Sequence, residues 1–335
     1  MDLKSLPKIE LHLHLDCSLS YDAVSHLAPS VTREEYATEY VAPAKCTNLA
    51  DFLKRAPKGF QLMQDESSLR HVTEDVLRQL KDDGVVYAEL RFAPLLHLDK
   101  GLTPERVVET VDHATEEMIR QTGVETRLIL CTLRHFTETQ SMLTAQLVKQ
   151  FRGSRVVALD LAGDEAGFPL QPHIEAYRYA REHGLLRTAH AGEAVGPDSV
   201  WETLRLLQPS RIGHGVRSIE DRRLVEFLAL EKIHLELCPS SNMQIVPSIN
   251  NWSEHPIHQL LQLGVSLNIN TDTRMLTPIT LSSEYAGLMN AFSWGVTEFL
   301  KTNLMGIDAA FVEDDIKQHL RKTMIEAYAG ETTLQ

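Results

Sequence analysis

Short apolar, β-branched runs recur along the chain at 9–15, 85–92, 126–133, 156–162, 186–191, 211–214, 233–238 and 265–271. Between most of them lie amphipathic stretches with helical periodicity, at 69–83, 104–121, 140–151, 173–183, 198–207, 220–230 and 254–263. Strand followed by helix, repeated, predicts an α/β fold with a parallel sheet. Thr103-Pro104-Glu105 places a capping hydroxyl ahead of a proline and an acid, which predicts a helix over 102–121.

Two segments fall outside this rhythm. Residues 20–64 follow the first strand and are long enough to hold helices that form a lid over strand ends. Residues 276–335 follow the last strand and read as terminal helices, the clearest at 314–328. No Pro/Gly/Ser-rich linker divides the chain. A length of 335 residues suggests two domains by ordinary size, but one large barrel with inserted loops also accommodates it. The expectation is a single domain over 1–335.

Composition narrows the class. Hydrophobic residues make up 43 % of the chain, enough for a sizeable core, and a formal charge of -13 repels nucleic acid phosphates and anionic membrane surfaces. Neither nucleic acid nor membrane is an expected partner. The first residues lack an apolar signal segment, and Cys17, Cys46, Cys131 and Cys238 include no C-x-x-C, so reduced thiols and a cytoplasmic location are expected. Gly213-His214-Gly215 lacks the third glycine of a dinucleotide fingerprint, Ser218 standing in its place.

The chemistry lies at the strand ends. In Glu10-Leu11-His12-Leu13-His14-Leu15-Asp16, alternation along a strand sends His12, His14 and Asp16 to one face. Two histidines at this spacing can converge on one divalent metal. His190-Ala191-Gly192-Glu193, Gly213-His214-Gly215 and Asn270-Thr271-Asp272-Thr273 then place further ligand or proton-transfer groups at the ends of the fifth, sixth and eighth strands. A TIM-type (β/α)8 barrel gathers all strand ends in one crater, whereas an open sheet separates its first and eighth strands. The clustering therefore favours the barrel and a metal site together. The remaining histidines, among them His97 and His255, are assigned to solvated or internally satisfied positions. Glu89 and Arg91 share a strand face and are read as a structural ion pair.

These residues resemble the adenosine deaminase family of the metal-dependent amidohydrolase superfamily. The resemblance rests on Pro7-Lys8-Ile9-Glu10-Leu11-His12-Leu13-His14-Leu15-Asp16, Asp160-Leu161-Ala162-Gly163-Asp164-Glu165, His190-Ala191-Gly192-Glu193 and Arg211-Ile212-Gly213-His214-Gly215. Cys238-Pro239-Ser240-Ser241-Asn242 and Asn270-Thr271-Asp272 complete it. It implies a barrel holding one zinc ion per chain through His12, His14, His190 and Asp272. By the same resemblance, His214 takes the proton of the attacking water, Asp272 hydrogen-bonds that water, and Glu193 protonates N1 of the purine. His14, Asp16, Gly163 and Thr273 would contact substrate, Gly163 through its backbone N–H to N3 and Asp16 at the ribose 5'-hydroxyl.

The implied reaction is hydrolytic deamination of adenosine and 2'-deoxyadenosine. Three positions depart from the family pattern. Cys17 stands where glycine is usual, and Thr273 replaces an acidic residue but keeps a hydroxyl for N7. Arg274 follows, read as a surface residue, or as a cation near the mouth if it turns inward. These departures keep open a modified adenine nucleoside, a nucleotide, or adenine itself as substrate, and, from another class, an inactive relative that only binds.

Overall fold

The computed structural model describes residues 2–332; the expectations for Met1 and for 333–335 lie outside the described residues. Eight strands follow one another around a single sheet: β1 Lys8–His14, β2 Val85–Phe92, β3 Glu125–Leu133, β4 Val156–Ala162, β5 Leu186–Ala191, β6 Arg211–His214, β7 His234–Leu237 and β8 Leu267–Ile269. Every neighbouring pair is parallel, as short strands separated by helices require. The fold is a (β/α)8 barrel, and the strand starts expected from the sequence hold to within two residues.

β8 is shorter than its apolar run suggested, because the chain turns at Asn270 rather than continuing the ladder. Closure to β1 instead uses a bridge between Leu13 and Asp272: His14 N–H donates to the Asp272 carbonyl at 2.8 Å, and Asp272 N–H donates to the His12 carbonyl at 3.0 Å. The residue that closes the ring is therefore one of the predicted ligands.

Helices cover the outside of the barrel. The helix Pro104–Thr122 starts where the sequence predicts: Thr103 accepts from Arg106 N–H, and Gly123 ends it in the left-handed region at φ 74°. Its apolar stripe, including Val107, Val111, Ala114 and Met118, is buried against the sheet. Near-complete burial of side chains such as Phe92, Leu128, Tyr177 and Leu235 makes one continuous core around the ring.

The insertion after β1 forms short helices at Tyr21–Leu27, Leu49–Leu53 and Ala56–Phe60. The last two sit over the carboxyl ends of the strands, where Leu53 and Phe60 line a cavity. The tail forms helices at Leu281–Phe292, Val296–Ala309 and Asp314–Thr332. Between them Phe311 closes the amino-terminal end of the barrel, its ring 3.7 Å from the Arg211 guanidinium. No helix among the described residues is long and apolar enough to cross a membrane.

Candidate active site

One expected ion pair and one expected arginine position change in the structure. Arg91 pairs not with Glu89 but with Asp160 at 3.1 Å and Glu236 at 2.6 Å, while Glu89 pairs with Arg211 at 2.5 Å. Arg211 also reaches Glu236 at 2.7 Å. Side chains sharing a strand face point the same way into the ring, so their partners come from other strands. Arg274 is neither at the surface nor at the mouth: it is buried, pairing with Glu10 at 3.1 Å and Asp83 at 3.2 Å and donating to Thr271 Oγ1.

The barrel interior thus carries Glu89, Arg211, Glu236, Arg91 and Asp160 as a string of buried alternating charges. Buried charges persist when paired in this way, because desolvation of an isolated one is far costlier. The far end of the string grips two histidines. Glu236 stands 2.9 Å from His12 Nδ1, and Asp160 stands 3.2 Å from His190 Nδ1. With Nδ1 engaged on a carboxylate, each ring turns Nε2 toward the crater.

Nε2 of His14 and His190 lie 3.1 Å apart, and Asp272 Oδ1 is 3.4 Å from His12 Nε2 and 3.6 Å from His14 Nε2. Ligands about 2.0–2.1 Å from a tetrahedral ion stand roughly 3.3 Å from one another. His12 Nε2 is buried without a hydrogen-bond partner. Three imidazoles and one carboxylate are the donor set that suits zinc and similar divalent ions. Charge agrees: three carboxylates against two guanidiniums in the string leave one excess negative charge, and Asp272 adds a second. The residues fit a divalent ion.

Electrostatics separate the groups around this centre. Burial opposes charge on His12, but the carboxylates of Asp272 and Glu236 beside it raise its pKa above the usual value. Burial pulls His14, His190 and His214 down, keeping those rings neutral and able to offer lone pairs. Asp272 is buried too, yet the nearby His12, His214 and His14 hold it far below the usual carboxylate range. Ser241 Oγ donates to its second oxygen at 2.7 Å.

Glu193 behaves oppositely. Burial, with the negative charges of Asp272 and Glu165 beside it, raises its pKa well above the usual value, the direction that favours a protonated carboxyl. Its backbone is fixed by Glu165, whose carboxylate accepts the N–H groups of Gly192, Glu193, Ala194 and Val195 at 2.6–3.0 Å and the hydroxyl of Ser199. His214 and Asp272 are both held at positive φ, 61° and 66°. Such strain in residues that are not glycine is tolerated where function requires it.

Glu193, His214, Asp272, Thr273 and Gly163 line one inner cavity of about 50 Å³, roofed by Leu49 and Phe52. Thr273 Oγ1 is buried there without a partner. Gly163, at φ 96°, is in a conformation that side chains rarely adopt. An outer cavity of about 420 Å³ adjoins it, sharing His14, Cys17 and Gly163 and adding Asp16. Asp16 accepts the Ala93 N–H at 3.1 Å, and burial raises its pKa to about 6. All the predicted site residues therefore face this pair of cavities or the metal-binding donor set beside them.

Sequence reasoning missed Arg91 and Glu236 as supports of the ligands, and Gly213, where a Cβ would stand 3.0 Å from His12 Cε1 and 3.3 Å from the His190 ring. A buried charged residue two positions from another on a strand was the available signal for Arg91. It did not say which strand would answer it.

A family model described as adenosine deaminase matches residues 7–327. The chain is 32 % identical over 327 residues to the adenosine deaminase of Clostridium acetobutylicum, covering 96 % of this chain and 97 % of that one. Among solved structures, adenine deaminase from Arthrobacter aurescens superposes with a TM-score of 0.88 at 26 % identity, covering 96 % and 98 % of the two chains. The arabidopsis N6-mAMP deaminase does so with a TM-score of 0.87 at 26 % identity, covering 97 % and 99 %.

Proposed function

The chain belongs to the adenosine deaminase family, and from that premise we propose that it hydrolyses adenosine and 2'-deoxyadenosine to inosine and deoxyinosine, releasing ammonia. The observation that carries the reading is the meeting of His12, His14, His190 and Asp272 from three strand ends, beside His214 and a Glu193 whose pKa is raised. We assign one zinc ion per chain to those four ligands, and we read residues 1–335 as one catalytic domain. When bound, such an ion supplies the Lewis acidity that makes water a nucleophile at neutral pH.

The protein's own groups supply the rest. Glu193 gives its proton to ring N1 as water adds to C6, the π pair of the C6=N1 double bond moving onto N1 to take that proton. His214 and Asp272 orient the attacking water, and the Asp272 carboxylate takes its proton. Returning that proton to the 6-amino group lets it leave as ammonia, while the hydroxyl at C6 gives its proton to the Glu193 carboxylate, forming the C6 carbonyl and restoring the acid. Gly163 N–H meets N3, and the free hydroxyl of Thr273 donates to N7. Asp16, with His14 beside it, faces the ribose, where its carboxyl accepts the 5'-hydroxyl. The roof of Leu49 and Phe52 excludes bulk water from the reacting carbon.

A second reading, deamination of an adenine nucleotide, has one observation behind it: Lys54 and His135 line the outer cavity and offer cationic or donor groups to a phosphate. Asp164 lines the same cavity and opposes an anion, and Arg274 is committed to Glu10 and Asp83. Turnover of adenosine, adenine, AMP and N6-methylated analogues by the metal-loaded protein separates the readings. Ammonia from adenosine at the highest kcat/KM supports the first. No release from adenosine with rapid turnover of AMP or an N6-methylated analogue replaces it.

A further inference from the structure

His255 lies outside the reactive cavities, in the loop before the helix Ile257–Gln262, and is buried. Its Nδ1 accepts the backbone N–H of Ile257 at 3.2 Å. A backbone N–H can only donate, so the hydrogen of the neutral ring must sit on Nε2. Burial pulls the pKa of this histidine down to about 3, so the ring is neutral at physiological pH.

Nε2 stands 3.3 Å from Asn242 Oδ1. A donor there fixes which end of the amide is which: Oδ1 accepts, and Nδ2 turns its two hydrogens the other way. Those hydrogens meet Glu193 Oε1 at 3.3 Å and His214 Nδ1 at 3.2 Å. Asn242 is wholly buried, so its amide finds its partners within the protein.

We propose that His255 and Asn242 are positioning residues that orient Glu193 for proton transfer, through a one-way chain of hydrogen bonds starting at the Ile257 backbone. Asn242 can only donate to Oε1, so the proton of the Glu193 carboxyl is directed to Oε2, the oxygen free to face a purine N1. The same amide steadies the His214 ring. Without the His255 hydrogen the amide could turn over and present Oδ1 to Glu193, drawing the acid proton toward Asn242 and away from substrate. A misaligned donor costs rate more than affinity.

The inference rests on the reading of Glu193 as the proton donor, and a double-mutant cycle separates the two. His255→Leu should lower kcat about tenfold while KM stays within twofold and the protein still binds one equivalent of zinc. His255→Gln, whose amide can donate to Asn242 Oδ1, should recover most of the loss. Combined with Glu193→Gln, His255→Leu should lower kcat little further, because both changes act on one proton transfer.

Should His255→Leu fail to fold, Asn242→Asp, which keeps the shape and removes the donor, serves in its place with the same expected loss. An inactive Glu193→Gln together with full activity of His255→Leu, or fully multiplicative losses in the double variant, overturns the relay alone. Full activity of Glu193→Gln removes Glu193 from the chemistry and the relay with it.

Discussion

Glu236 holds His12 by Nδ1 at 2.9 Å and is itself held by Arg91 at 2.6 Å, so the direction of a metal-facing nitrogen is set by a guanidinium that never reaches the metal. Asp160 does the same for His190 from the other arm of Arg91. Supports of this kind typically contribute 10–100-fold to metal affinity. Arg91→Lys keeps the charge but loses the two-armed fork. Its zinc affinity, measured by chelator competition, should therefore fall by about that factor. Asp83→Asn, which weakens the separate Arg274 pair, should lower stability and leave zinc affinity within twofold of the parent.

Burial and the negative charge of Asp272 raise the pKa of Glu193, the direction the proposed proton donor needs. Glu193→Gln retains size and hydrogen bonding but has no acid proton. Its kcat should fall about 10²- to 10⁴-fold with zinc content unchanged. Steady-state kinetics beside metal analysis of the same sample checks this, and wild-type turnover would remove Glu193 from the mechanism.

Thr273 offers a buried hydroxyl that no protein group uses. Thr273→Val keeps its shape. If the hydroxyl meets N7, kcat/KM for adenosine should drop about three- to tenfold, in line with one neutral hydrogen bond of about 1 kcal/mol. Stability should stay level or rise, since an unsatisfied polar atom is removed. Unchanged kcat/KM would leave the hydroxyl without a substrate role.

Glu284 is fully buried in the helix Leu281–Phe292, accepting Ser240 N–H at 3.1 Å, and burial raises its pKa to about 8. In the unfolded chain a glutamate titrates near 4.3. Between those values the folded state holds a proton that the unfolded state has lost, so this group makes stability fall as pH rises from about 4.5 to 8. Its contribution is fully present below about pH 4 and gone above about pH 8, at a slope on the order of 1 kcal/mol per pH unit. Glu284→Gln cannot ionise, so urea unfolding should show it gaining on the parent between pH 5 and pH 8. An equal difference at both pH values would mean that Glu284 does not titrate in this range.

The strands were legible because buried parallel strands read as apolar runs, and the clustering of the candidate ligands because alternation puts His12 and His14 on one face at a strand end. The barrel was legible only through chemistry, since one ion cannot join His12 to Asp272 across an open sheet. The cross-ring pairing was not legible. The two-residue spacing of Glu89 and Arg91 shows that they share a face but not that their partners are Arg211, Asp160 and Glu236 on other strands. Arg274 looked exposed because it follows a catalytic loop, whereas two acids from distant segments bury it. His255 carries no local signal, because its importance depends on which backbone N–H and which amide it happens to face.

The central claim is that four residues from three strand ends hold an ion that drives adenosine deamination. Ammonia release from adenosine, followed in protein stripped of metal and then titrated with zinc, tests it most directly. Activity absent from the stripped protein and restored in full at one zinc per chain is the predicted result. Zinc-loaded protein that releases no ammonia from adenosine or 2'-deoxyadenosine, or stripped protein that remains fully active, contradicts it.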